Sequence, residues 1–179
     1  MSVDLVERMS QTHPSLSPED YAAYDYDCRK GGWKGIHYLC DRGVTKTPEE
    51  GMRYYSAYDC DYTSYGFPSA AEICAAALAA GGKPVLAHPC NWFAGQSREA
   101  LFETFDGLRA IGVQGVECYD PANSPQMTAW CLEYCRLHGL YVTAGGDGHG
   151  GFARVSKGVL YEIGAAAVDE QMLTLWPGV

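Results

Sequence analysis

The segment Gly139-Leu140-Tyr141-Val142-Thr143-Ala144-Gly145-Gly146-Asp147-Gly148-His149-Gly150 decides how the rest of the chain is read. It opens on a glycine of the kind that stops a helix and runs through a short apolar stretch. It closes in a glycine-rich loop that carries one acid and one imidazole. The apolar stretch is too short for a helix and rich in the β-branched and aromatic residues of a buried strand. In extended chain, residues i and i+2 face the same way, so Asp147 and His149 present a carboxylate and an imidazole side by side. The flanking glycines let the backbone turn sharply and leave room for a ligand.

Similar apolar runs occur at residues 84–88, 114–119 and 158–162. Helical patterns separate the first three runs. Leu101, Phe102, Phe105 and Leu108 fall on one helix face, as do Met127, Trp130, Cys131, Tyr134 and Leu137 on another. Ser17-Pro18-Glu19 and Ser124-Pro125 place a capping hydroxyl before a first-turn proline. Thr47-Pro48-Glu49-Glu50 and Ser69-Ala70-Ala71-Glu72 both fit the capping box. Gly43, Gly81-Gly82, Gly112 and Gly139 mark helix stops. The alanines between Ala70 and Ala80 suit close helix packing. From residue 69 the order is α, β, α, β, α, β, with a further β and α. This is the pattern of an α/β fold whose parallel strands are covered by helices. Residues 1–68 are polar and rich in tyrosine. They read as two to four helices and loops elaborating the same single domain, 1–179, of which 69–179 is the α/β portion. The tyrosines are packing residues with a polar tip.

The length of 179 residues suits one domain with a real core. A hydrophobic content of 47% with 20% charged residues excludes disorder. The net charge of −9 argues against binding duplex nucleic acid, whose phosphates call for concentrated Lys and Arg. It leaves open a small phosphorylated substrate. No apolar run approaches the roughly 20 residues of a membrane span, and residues 1–10 lack a basic-then-apolar leader. The expectation is a cytoplasmic protein with no membrane partner. Most of the eight cysteines read as reduced core residues, with Cys131 and Cys135 on one helix face. Cys90 stands apart because it follows His88-Pro89.

Three polar clusters lie at the ends of the first three apolar runs. They are Ala87-His88-Pro89-Cys90-Asn91, Glu117-Cys118-Tyr119-Asp120 and the glycine-rich loop. In a parallel sheet all C-terminal strand ends point to one rim, where such folds place ligands and catalysis. Taken singly, a histidine before proline is a structural residue and Asp-Gly-His is a turn. Their shared rim turns the reading toward a metal site. His88, Asp147 and His149 then supply two imidazoles and a carboxylate with coordination positions left open. The spacing leaves zinc, manganese and iron open as the divalent ion. A metal in such a site lowers the pKa of bound water to about 7. Glu117 and Asp120 are left as carboxylates supporting the ligands, a general base, or plain strand-end acids. His138 reads as a partner of its helix dipole. His13 and His37 have no acidic or histidine neighbour at ligand spacing.

The stretch Gly81-Gly82-Lys83-Pro84-Val85-Leu86-Ala87-His88-Pro89 resembles the polymerase-and-histidinol-phosphatase (PHP) family of metal-dependent phosphoesterases. Gly115-Val116-Glu117-Cys118-Tyr119, followed by Asn123-Ser124-Pro125, is similar to a second motif of that family. The run from Val142 to Gly150 is similar to a third. Gly31-Gly32-Trp33-Lys34-Gly35-Ile36-His37-Tyr38-Leu39 resembles the helical insert of one bacterial subgroup. The resemblance implies a distorted, TIM-like β/α barrel and hydrolysis of phosphate esters by metal-activated water. It also implies His88, Asp147 and His149 as metal ligands, with Glu117 or Asp120 assisting proton transfer. The substrate would be a small phosphorylated molecule or nucleotide.

There are departures from the family pattern. No H-x-H occurs anywhere in the chain, and Gly146 stands where the family has serine. Gly148 replaces a bulky residue, Asp120 replaces a histidine, and His37 stands in place of asparagine. The expectation is therefore a partial barrel lacking its front strands. Such a chain would self-associate as a homo-oligomer or take the missing strands from a partner. The alternative reading is a non-catalytic metal-binding or interaction remnant.

Overall fold

The computed structural model describes residues 1–152, 155–156 and 159–174. The chain divides into two compact units. One comprises the described residues of Met1–Phe67 and His149–Arg154, the other those of Pro68–Gly148 and Val155–Val179.

The first unit is helical, with α1 (Ser2–Ser10), α2 (Pro18–Ala23), α3 (Lys34–Asp41) and α4 (Met52–Ala57). Leu5, Val6 and Met9 of α1 are fully buried against Ile36, Tyr38 and Leu39 of α3 and Tyr55 of α4. Ser17 caps α2 by accepting the Asp20 amide, and Pro18 occupies the first turn. The tyrosines are packing residues: Tyr21 and Tyr24 stand edge-on to Tyr38. Arg42 lies over the Tyr38 ring while bridging to Asp20 at 2.6 Å. The capping box expected at Thr47 does not form. α4 is entered through a 3₁₀ turn, Glu49–Gly51, without a side-chain cap, because Glu50 instead accepts the Lys46 amide at 2.8 Å. Residues 149–152 belong to this unit. Gly31, at φ +74°, has no room for a Cβ against the His149 carbonyl, and Phe152 packs edge-on to Trp33.

The second unit is α/β. It runs α5 (Ala70–Ala79), β1 (Val85–Leu86), α6 (Cys90–Phe93), α7 (Arg98–Ala110), β2 (Gly115–Tyr119), α8 (Pro125–His138) and β3 (Tyr141–Ala144), then the short strands β4 (Val155–Ser156) and β5 (Val159–Leu160). β1, β2 and β3 form a parallel sheet in that order, with Val85 beside Gly115 and Val116 beside Val142. The register shifts between Glu117 and Tyr119, leaving a bulge at Cys118. Among the described residues the parallel sheet has three strands and is not a closed barrel. Its core combines Leu101 and Phe105 of α7, Val116 and Cys118 of β2, Met127, Cys131, Tyr134 and Cys135 of α8, and Val142 of β3. Arg98 and Glu133 tie α7 to α8 at 2.6 Å, and the Tyr134 hydroxyl donates to Asp106 at 2.7 Å.

Four expectations change here. Leu137 is 58% exposed. At about 100° per residue it falls beside the stripe set by Met127, Cys131, Tyr134 and Cys135. The capping box at Ser69 and Glu72 forms, but α5 buries only Cys74, and its alanines do not pack closely. The run at 158–162 does not join the parallel series. Gly158 lies outside the described residues, and Val159–Leu160 pairs antiparallel with Val155–Ser156. Two intervening residues allow a hairpin and exclude a parallel crossover. Beyond β5 the described chain has a 3₁₀ turn at Glu170–Met172 rather than the expected helix. No helix among the described residues is long and apolar enough to cross a membrane.

Candidate metal centre

The site is built where the three parallel strands end. β1 stops at Leu86 because the chain turns at His88, whose φ is +35°. Asp147 also lies in the positive region, at φ +46°. Among the described residues only Asp59 joins them as a non-glycine with positive φ. The side chain makes that backbone region unfavourable, so such positions persist where surrounding structure or function holds them. Two residues chosen from sequence as ligands thus both carry left-handed backbone.

Glu117 of β2 links the strand ends. Its Oε2 accepts the His88 amide at 2.7 Å. Its Oε1 fills the space that a Cβ on Gly145 would need. Gly145 in turn donates its amide to the Tyr119 carbonyl at 3.0 Å. Gly146 has no room for a Cβ against the Glu162 carbonyl, which accounts for glycine where the family resemblance has serine. Burial pushes the Glu117 carboxyl above its ordinary range, the His88 amide opposes this, and Asp120 and Asp147 add to it.

Asp120 is buried at 6% exposure, just past the end of β2. Its Oδ1 accepts the Ala122 amide at 2.8 Å, closing a local turn. Among the described residues its Oδ2 is buried without a hydrogen-bond partner, and so is His88 Nδ1. Burial raises the Asp120 pKa; the Asp147 charge adds to the shift and His88 opposes it. His88, Glu117, Asp120 and Asp147 therefore lie within electrostatic reach of one another. An unpaired buried imidazole nitrogen and carboxylate oxygen are costly unless a cation or proton meets them.

Sequence reasoning did not single out two neighbours. Asn123 donates Nδ2 to the Cys118 carbonyl at 3.0 Å, and its buried Oδ1 has no hydrogen-bond partner among the described residues. The sequence signal for it was the stretch Asn123-Ser124-Pro125, ahead of the helix that Ser124 caps. Tyr161 lies near Asp120, Cys90 and Asp147, with burial as the main cause of its raised pKa. Cys90 is not an activated nucleophile: burial pushes its thiol up, and the Asp120 charge adds to that. His149 is exposed and belongs to the first unit, whereas His88 and Asp147 belong to the second. Elsewhere, His37 is buried and bonds the Gly31 carbonyl at 2.8 Å, a structural role.

The donor types suit a divalent cation of the borderline or hard kind, since the cluster offers imidazole nitrogen and carboxylate oxygen. The unpaired His88 and Asp120 atoms point the same way. No group of three or more His, Cys, Asp or Glu side chains among the described residues is gathered closely enough to hold one.

No protein-family model and no curated protein matches the chain. Solved structures similar to it include the following two. One, from Bifidobacterium adolescentis, is a protein provisionally assigned as a metal-dependent phosphoesterase. It is 26% identical, with a TM-score of 0.59 over 90% of this chain and 57% of that one. The other is an amidohydrolase from Chromobacterium violaceum, solved with bound sulfate and no metal. It is 22% identical, with a TM-score of 0.52 over 82% of this chain and 53% of that one. The chain thus spans little more than half the length of either structure. The likeness supports a shared α/β fold over the part of each structure that the chain covers.

Proposed function

We propose that the chain carries part of a PHP-type, metal-dependent phosphoesterase site on a partial TIM-like barrel. The observation behind this reading is the pair His88 and Asp147. Both lie just past the ends of parallel strands, both are held at positive φ, and both share a rim with Asp120 Oδ2, which has no hydrogen-bond partner among the described residues. His88 and Asp147 would hold a divalent ion, zinc, manganese or iron. Such an ion supplies Lewis acidity toward a phosphoryl oxygen and acidifies water.

The side chains divide the remaining work. Glu117 is a positioning residue, because its carboxylate is committed to the His88 amide. Asp120 is the better proton acceptor, because one of its buried oxygens has no hydrogen-bond partner among the described residues and burial raises its pKa. Substrate would be a small phosphate ester. The acidic rim repels a free phosphate, so binding depends on the cation.

A second reading follows from the lack, among the described residues, of a ready three-donor group. In it the chain is a metal-binding or interaction remnant that does not turn over alone.

Metal analysis of the purified chain, with an assay on a generic phosphate monoester in added manganese, zinc or iron, separates the two. Turnover abolished by both His88→Ala and Asp147→Ala supports the enzyme. Metal uptake without turnover supports the remnant. A metal-free, inactive chain indifferent to both substitutions removes the site.

A further inference from the structure

Away from the rim, the core of the α/β unit holds three thiols where β2 meets α8. Cys118, Cys131 and Cys135 are each no more than 1% exposed, and none is in a disulfide. The arrangement follows from local structure. Cys131 and Cys135 lie one helical turn apart on the buried face of α8, and the bulge in β2 falls at Cys118. The Sγ atoms of Cys118 and Cys135 are 3.8 Å apart.

The two thiols of that pair differ. Cys135 lines an open cavity of about 510 Å³ beside β3, bounded also by Arg136, Leu140 and Tyr141. Cys118 is not part of the cavity wall and sits behind Cys135. The Cys118 thiol can donate to the Cys135 sulfur, which favours the thiolate at Cys135 over that at Cys118. The Cys135 thiol itself donates to the Tyr141 carbonyl at 3.6 Å.

We propose that Cys135 and Cys118 form a peroxide-sensitive, reversible cross-link between α8 and the bulge of β2. The Cys135 thiolate attacks one oxygen of hydrogen peroxide. An S–O bond forms, the O–O bond breaks, and the departing hydroxide takes up a proton to leave as water. Cys118 sulfur then attacks the Cys135 sulfenic acid. An S–S bond forms, the S–O bond breaks, and the Cys118 proton leaves with the hydroxide as a second water. Both sulfurs are oxidised by the one peroxide, and a thiol reductant restores them. The chemistry does not depend on the metal site.

The test treats the intact chain with hydrogen peroxide, alkylates free thiols under denaturing conditions and maps peptides by mass spectrometry. The expected result is a linked pair of peptides carrying Cys118 and Cys135, lighter by two hydrogens and lost on reduction, with Cys131 alkylated. In Cys118→Ala the link is lost and a dimedone adduct accumulates at Cys135. Where that variant fails to fold, Cys135→Ser serves, and the expected result is loss of the link with Cys118 unmodified. Three results would overturn the proposal: full alkylation of both cysteines after peroxide, a link that joins other cysteines instead, or oxidation of exposed Cys28 alone.

Discussion

His88 and Asp147 adopt a backbone conformation that an L side chain resists, and glycine would hold it without that strain. Asp147→Gly is expected to keep or raise stability by up to about 1 kcal/mol in urea unfolding, while metal uptake falls. A loss of more than about 2 kcal/mol would mean that the Asp147 side chain serves the fold instead. Asp61 offers a test independent of the rim. Hydrogen bonds from Thr63 and Ser56 lower its pKa from 3.8 to about 2. A carboxylate with a depressed folded pKa contributes stability that is present above the unfolded value and lost as pH falls through the folded one. The wild type should therefore lose stability between pH 3.8 and about 2, and Asp61→Asn should flatten that slope in a pH series of urea melts. The ligand residue types were legible in the sequence at this scale, because Asp, His and glycine cluster at the ends of apolar runs. The Glu117 tie to the His88 amide was not, since it joins residues 29 positions apart.

Among the elements, three helix starts were legible from a hydroxyl before a first-turn proline or a capping box. Ser17, Ser69 and Ser124 all cap, and Ser97 caps α7 without having been anticipated. Thr47 fits the same pattern and does not cap, because its partner carboxylate is drawn to the Lys46 amide. Ser124→Ala should therefore cost about 1 kcal/mol, and Thr47→Ala only a few tenths, in thermal or urea unfolding. Equal losses would contradict this assignment of caps. Strand positions were legible too, but strand direction at 158–162 was not. The length of a connection decides between hairpin and crossover, and hydrophobic content does not report it.

For the whole molecule, the parallel sheet has three strands among the described residues. α5 leaves Ile73 at 56% and Leu78 at 36% exposure. Parallel sheets are ordinarily covered on both faces and at their edges. We therefore expect self-association: light scattering after gel filtration should give a mass above the 19.5 kDa of one chain, reduced by Ile73→Lys. A strict monomer at all concentrations would count against it. The sequence by itself determined an α/β unit at residue 69 onward, most of the helix caps, most of the buried faces of α7 and α8, and the residue types at the strand ends. Those properties depend on short-range periodicity and on local hydrogen bonding, which a few neighbouring residues settle. Only the tertiary structure decided that Glu117 binds the next strand's backbone, that Asp120 keeps an unpaired buried oxygen, and that Cys118 meets Cys135. Each depends on which segments are brought side by side, and burial in that arrangement sets the cost of leaving a polar atom unmatched.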